Sequence, residues 1–130
     1  EAYLNYAEAQ ANMGGDGIEK ATEVLTALRE KRFDPEDDYE VEITDQQELI
    51  EFIKEERRKE LCFEGHRWFD LRRWGMPEIT HVWHTSSTES HVYRLTEKDL
   101  MYTIPIPDEA MQENSRLVQN ELPGKRAYEK

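Results

Sequence analysis

A chain of 130 residues with a formal net charge of −12 has room for one domain with a modest core, and it repels phosphate backbones and anionic lipid. Three Trp, six Tyr and four Phe supply enough apolar area to exclude a disordered chain. The single Cys62 excludes an internal disulfide and reads as a small buried hydrophobe between Leu61 and Phe63. No apolar run is long enough to cross a bilayer, and no signal-peptide pattern is read.

EAYLNYAEAQ has helical spacing from its first residue with no cap before it, so the chain reads as a segment of a longer one. The spacing of Tyr3, Tyr6, Ala7, Gln10 and Ala11 predicts a helix from Glu1 to about Met13 with these residues on one face. Gly14-Gly15-Asp16-Gly17 ends it. Asp16 and Glu19 predict a capping box for a second helix, whose stripe is Ile18, Ala21, Val24, Leu25 and Leu28. Together the two form a tetratricopeptide-like hairpin, and Tyr3 and Tyr6 read as packing residues against neighbouring repeats.

Residues 33–43 form an acidic loop. Thr44 and Gln47 give a second capping-box spacing ahead of a long third helix. Gly65 bends or ends that helix, and a shorter one is predicted from His66 to Arg73, stopped by Gly75 and Pro77. Residues 76–92 read as irregular, with short strands predicted at Val92–Leu95 and Tyr102–Ile104. Asp108 to Gln112 makes one helical turn, and Lys125–Lys130 is a charged, loose end.

ERRKELCFEGHRWFDLRRWG, Glu56 to Gly75, mixes Arg and Glu with aromatic rings, and three functions compete for it. Glu56, Glu60 and Glu64 share a helical edge, and paired carboxylates can serve glycoside hydrolysis, but such pairs flank a cleft and usually come from different elements. Neighbouring Arg residues lower carboxylate pKa values, which spoils a general acid. Arg57-Arg58-Lys59 and Arg72-Arg73 beside Trp68 and Trp74 suit stacked bases, but interleaved carboxylates and the net charge oppose nucleic acid. A structural girdle fits best: Arg57, Glu60, Glu64, Arg67, Asp70 and Arg73 as an ion-pair network, anchored by Trp68, Phe69, Leu71 and Trp74. No residue is assigned a catalytic role.

His81, His84 and His91 match no strong zinc spacing, so no metal or cofactor is expected. Trp83, in a Ser/Thr-rich stretch, has two readings: a ring that stacks on a sugar face, or one that pins its loop to the helices.

EERRKELCFEGHRWFDLRRWG strongly resembles the motif near the C-terminus of the SusD/RagB family of outer-membrane nutrient-binding lipoproteins. EAYLNYAEAQANMGG and IEKATEVLTALREKRF resemble that family's tetratricopeptide-type helices, and YTIPIPDEAMQENSRLVQN its closing segment. Ser115 stands where the family usually has Pro, and Glu121-Leu122 precede Pro123-Gly124. The resemblance implies the C-terminal portion of a mainly α domain: a helical hairpin over 1–33, motif helices over 44–75 and a loop-rich tail over 76–130 with minor β structure. It also implies a non-catalytic protein on the outer face of the outer membrane. Such a protein is held there by an N-terminal lipid anchor outside this segment. It binds oligosaccharides or other nutrients, which it passes to a SusC-like TonB-dependent transporter. In that family the glycan contacts come largely from loops outside this region, so no ligand residue carries over. A helical-repeat adaptor for protein partners and a glycoside hydrolase fragment are the rivals; no nucleic acid is expected.

Overall fold

The computed structural model describes residues 1–124, so the predicted loose end at Lys125–Lys130 lies outside the described residues. Helices α1 (Ala2–Met13), α2 (Asp16–Arg29), α3 (Gln46–Glu60) and α4 (Arg67–Arg73) precede an antiparallel hairpin of β1 (Ile79–His84) and β2 (Ser90–Leu95). A 3₁₀ turn, Leu100–Tyr102, and α5 (Asp108–Glu113) follow. The fold is mainly α with a small sheet, and the described residues divide into two compact units, Glu1–Arg67 and a second that begins at Trp68.

In the first unit α1 and α2 are joined by Gly14 and Gly15, whose φ of 70° and 54° suit a residue without a side chain. So short a link folds α2 back antiparallel on α1. The side chain of Gln46 at the start of α3 donates to the carbonyl of Ala11 at 2.8 Å, and Arg57 near its end reaches Asn5 at 2.8 Å. These two contacts fix α3 antiparallel to α1. The core joins Leu4, Ala7 and Ala11 to Ala21, Leu25, Leu49 and Ile53, closed by Val41 and Leu61.

The buried stripe of α1 is therefore Leu4-Ala7-Ala11, one residue round from the predicted face; Tyr3 and Tyr6 are about half exposed. Small Ala residues bring the backbones together, and a bulky Tyr on that seam would hold them apart. Ile18, Val24 and Leu28 flank the seam of α2 as partly buried neighbours.

Both predicted caps shift by one residue. The N-cap of α2 is Gly15, without a side-chain bond, and Asp16 and Glu19 lie in the first turn, where their charge still favours the helix N-terminus. The N-cap of α3 is Asp45, not Thr44; its carboxylate accepts from the Glu48 amide at 2.8 Å. Asp45 and Glu48 have the same three-residue spacing, and Asp caps at least as well as Thr. Arg57, Arg58 and Lys59 in the last turn suit the negative end of the α3 dipole. Beyond it Phe63 and Gly65 take left-handed backbone, φ 67° and 81°, and end the helix. Cys62 is exposed in this turn, so its expected burial does not hold. The chain leaves the helix there and turns the thiol outward.

In the second unit Tyr102 is fully buried. Its hydroxyl donates to the Pro77 carbonyl at 2.6 Å, its ring stacks on Trp68 with centroids 5.4 Å apart, and its own carbonyl accepts from Arg72. Tyr102 was expected in a strand. Instead Asp99 accepts from the Met101 amide at 2.8 Å and from the Thr96 hydroxyl at 2.9 Å, winding the segment into a 3₁₀ turn that drives the ring inward. The irregular stretch expected over residues 76–92 is mostly hairpin. β1 pairs with β2 from Ile79↔Leu95 to His84↔Ser90. The Ser/Thr cluster supplies the turn, where the Ser86 hydroxyl accepts from the Glu89 amide at 3.1 Å. The closing segment is tied by Gln119, whose amide accepts from Ile106 N–H at 2.9 Å and donates to the Ile106 carbonyl at 2.8 Å.

Candidate functional site

Several of the charged residues singled out in the sequence make close ion pairs or hydrogen bonds. Arg57 is buried on α3; its guanidinium donates to Asn5 Oδ1 at 2.8 Å and lies 3.9 Å from the Glu1 carboxylate. Glu60, one turn further on, receives a two-point grip from Arg32: Nη2 to Oε1 at 2.6 Å and Nε to Oε2 at 3.0 Å. That grip holds the Glu60 carboxyl below its ordinary pKa and raises that of Arg32. Glu64 is exposed and stands 4.0 Å from His66. Asp70 is buried in α4 and accepts from Arg73 Nε at 3.0 Å, and the Arg73 guanidinium lies over the Trp74 ring at 4.8 Å. Arg67, exposed at the start of α4, contributes to the field that lowers the Glu55 pKa, after the larger effect of the Arg58 hydrogen bond.

Two residues outside the motif add ties from the end of α2 to α3. Besides Arg32, Arg29 at the end of α2 reaches Glu56 at 3.4 Å, stacks over Phe33 at 4.3 Å and donates to the Tyr39 carbonyl at 2.9 Å. Glu56 is itself buried and also takes Lys59 at 3.0 Å. The alternation of KRF after α2 gave no sign of this partnership, because 28 residues separate Arg32 from Glu60. Among the motif's rings, Trp68 packs on Tyr102 and Leu71 is buried, while Phe63 and Phe69 are exposed.

Of the three carboxylates on this edge, Glu56 and Glu60 are paired with Lys or Arg side chains and Glu64 is exposed. Among the described residues no group of three His, Cys, Asp or Glu side chains is placed to hold a metal ion. The hairpin register shows why for the histidines: His81 and His91 lie on one face and His84 on the other. The Trp83 ring is 64% exposed on the face of His81 and His91, so it does not pin its segment to a core. An open groove beside α2 is lined by Asp16, Glu19, Thr22, Val41, Glu42 and Thr44. No helix among the described residues is long and apolar enough to cross a membrane.

A packed helical hairpin with a third helix laid along it, a guanidinium-rich turn and a hairpin-bearing tail define a mainly helical protein with an ion-paired, charged motif. A sequence model of the SusD family matches residues 1–124, and the chain belongs to that family. It is 29% identical over 126 residues to SusD-like protein P25 of Formosa agariphila, covering 93% of this chain and 22% of that one. Its fold is similar to the crystal structure of a SusD-like protein from Bacteroides fragilis, with a TM-score of 0.62 and 31% identity over 91% of this chain and 24% of that chain. The chain thus spans about a quarter of the length of these relatives. The family is one of non-catalytic nutrient- and glycan-binding proteins associated with the outer membrane.

Proposed function

We propose that this chain is the C-terminal portion of a surface-facing outer-membrane lipoprotein that binds oligosaccharides or other nutrients without turning them over. It delivers them to a SusC-like TonB-dependent transporter. The observation that carries this reading is the family match over residues 1–124, with the same fold in a relative of 31% identity. The state of the carboxylates supports it. Glu60 is held ionised by Arg32, and Glu56 is ion-paired with Arg29 and Lys59, so both serve as ties within the helical unit. Arg57, Glu60, Glu64 and Arg67 stiffen the first unit, and Asp70 and Arg73 the start of the second. Three helices packed on one core form a rigid scaffold against which a partner docks.

Calorimetric titration of the intact protein with an array of oligosaccharides, followed by analysis of the recovered sugars, tests the reading. Binding without new reducing ends is the expected result. Hydrolysis that Glu60→Gln abolishes would overturn it, and specific peptide binding with no sugar affinity would favour a protein adaptor.

A further inference from the structure

The β1–β2 hairpin presents one face that the charged motif does not involve. Residues opposite each other in an antiparallel pair share a face, so Ile79, His81 and Trp83 lie beside Leu95, Tyr93 and His91. Ile79 and Leu95 are half-buried, while the outer part holds Trp83, 64% exposed, and Tyr93, 48% exposed. Trp83 sits directly across from His91, and Tyr93 across from His81, so the two aromatic rings are diagonal neighbours with an imidazole beside each. The turn above them carries Thr85, Ser86, Ser87 and Thr88, and Glu89 lies 3.4 Å from His91.

This composition selects among ligand chemistries. A purely apolar partner would strip water from the ring nitrogens of His81 and from the hydroxyl-rich turn, a cost that an aliphatic surface does not repay. A phosphate or other anion would meet Glu89 and a protein of net charge −12, with no Arg or Lys on this face. A neutral sugar satisfies both demands. Its C–H face lies on indole and phenol rings, and its hydroxyl edge exchanges hydrogen bonds with imidazole and Ser/Thr groups.

We infer that the Trp83–Tyr93 face of the hairpin, flanked by His81 and His91, is a stacking platform for a neutral oligosaccharide. The inference rests on the functional reading above and assigns a ligand-contacting role to a surface in the second unit. A two-stranded hairpin is only marginally stable by itself and so makes a weak mount. The platform therefore works as an auxiliary contact that raises the affinity for long chains.

The test is titration of the intact protein against an array of neutral oligosaccharides, repeated with Trp83→Ala, Trp83→Phe, Tyr93→Ala and Val82→Ala. Val82 is on the opposite face of the same strand and is also exposed, which makes it the control. Trp83→Ala is expected to weaken binding about tenfold, as removal of a central aromatic contact does. Trp83→Phe should recover part of that loss, Tyr93→Ala should weaken binding to a smaller degree, and Val82→Ala should leave it unchanged. Parental affinity in Trp83→Ala, or an equal loss in Val82→Ala, would overturn the platform and leave the functional reading standing. Binding of no arrayed sugar by the parent protein would overturn both.

Discussion

The Arg32 guanidinium and the Glu60 carboxylate meet fork to fork, at 2.6 and 3.0 Å, and tie the exit of α2 to the last turn of α3. Because Arg32 holds Glu60 below its ordinary value of 4.5, the folded protein binds fewer protons at this site than the unfolded chain. Stability from the pair is complete above that ordinary value and is lost as pH falls through the lowered one. Urea midpoints measured from pH 7 down to pH 3 should fall with acid. Glu60→Gln should lower stability at pH 7 and flatten that slope. An unchanged slope would show that the tie contributes nothing to folding.

Arg57 is buried beside α1 and gives Asn5 its charged hydrogen bond. Arg57→Met keeps much of the stem and removes the donor, so the intact protein should lose about 1.5–3 kcal/mol in denaturant titration. Asn5→Ala should lose less, and the double variant should lose less than the sum, because the two substitutions delete one shared bond.

Gly17 lies in α2, where Ala is intrinsically the better helix former by about 1 kcal/mol. Propensity alone therefore predicts that Gly17→Ala stabilises. A Cβ there would stand 2.2 Å from the Gln10 carbonyl oxygen, a backbone atom that cannot step aside without separating the helices. The expected outcome is a net loss of about 1–3 kcal/mol by thermal or urea unfolding. Gain of stability would mean that α1 and α2 pack less closely than described.

Gln119 imitates a strand partner for Ile106, filling both its N–H and its carbonyl. Gln119→Ala leaves two partly buried backbone groups without these bonds and should cost about 1–3 kcal/mol. Gln119→Glu retains the acceptor for the N–H but sets a carboxylate oxygen against the Ile106 carbonyl, so it should also destabilise at pH 7. Amide hydrogen exchange at Ile106 should quicken in both variants.

Helical periodicity and Gly-turn chemistry made α1, α2 and α3 legible, since they depend on residues three or four apart. The register of the buried stripe was less so. Tyr3 and Tyr6 have the right spacing for a core face, but Leu4-Ala7-Ala11 is the seam that lets backbones approach. The second strand is legible in the sequence at Val92–Leu95, but the Ser/Thr turn and the His residues mask Ile79, Thr80, Val82 and Trp83 of the first. The dense charge of the motif pointed to a structural network, yet it could not tell which cation meets which carboxylate.

The sequence by itself determined that this is a mainly helical, acidic chain whose Arg-rich motif belongs to the SusD family, because periodicity, composition and motif order are local properties of the chain. Only the tertiary structure decided that Arg29 and Arg32 serve Glu56 and Glu60, that Tyr102 is buried against Trp68, and that Trp83 and Tyr93 share an open face. Those pairings depend on how helices and strands meet across long stretches of chain, and no short-range pattern encodes that geometry.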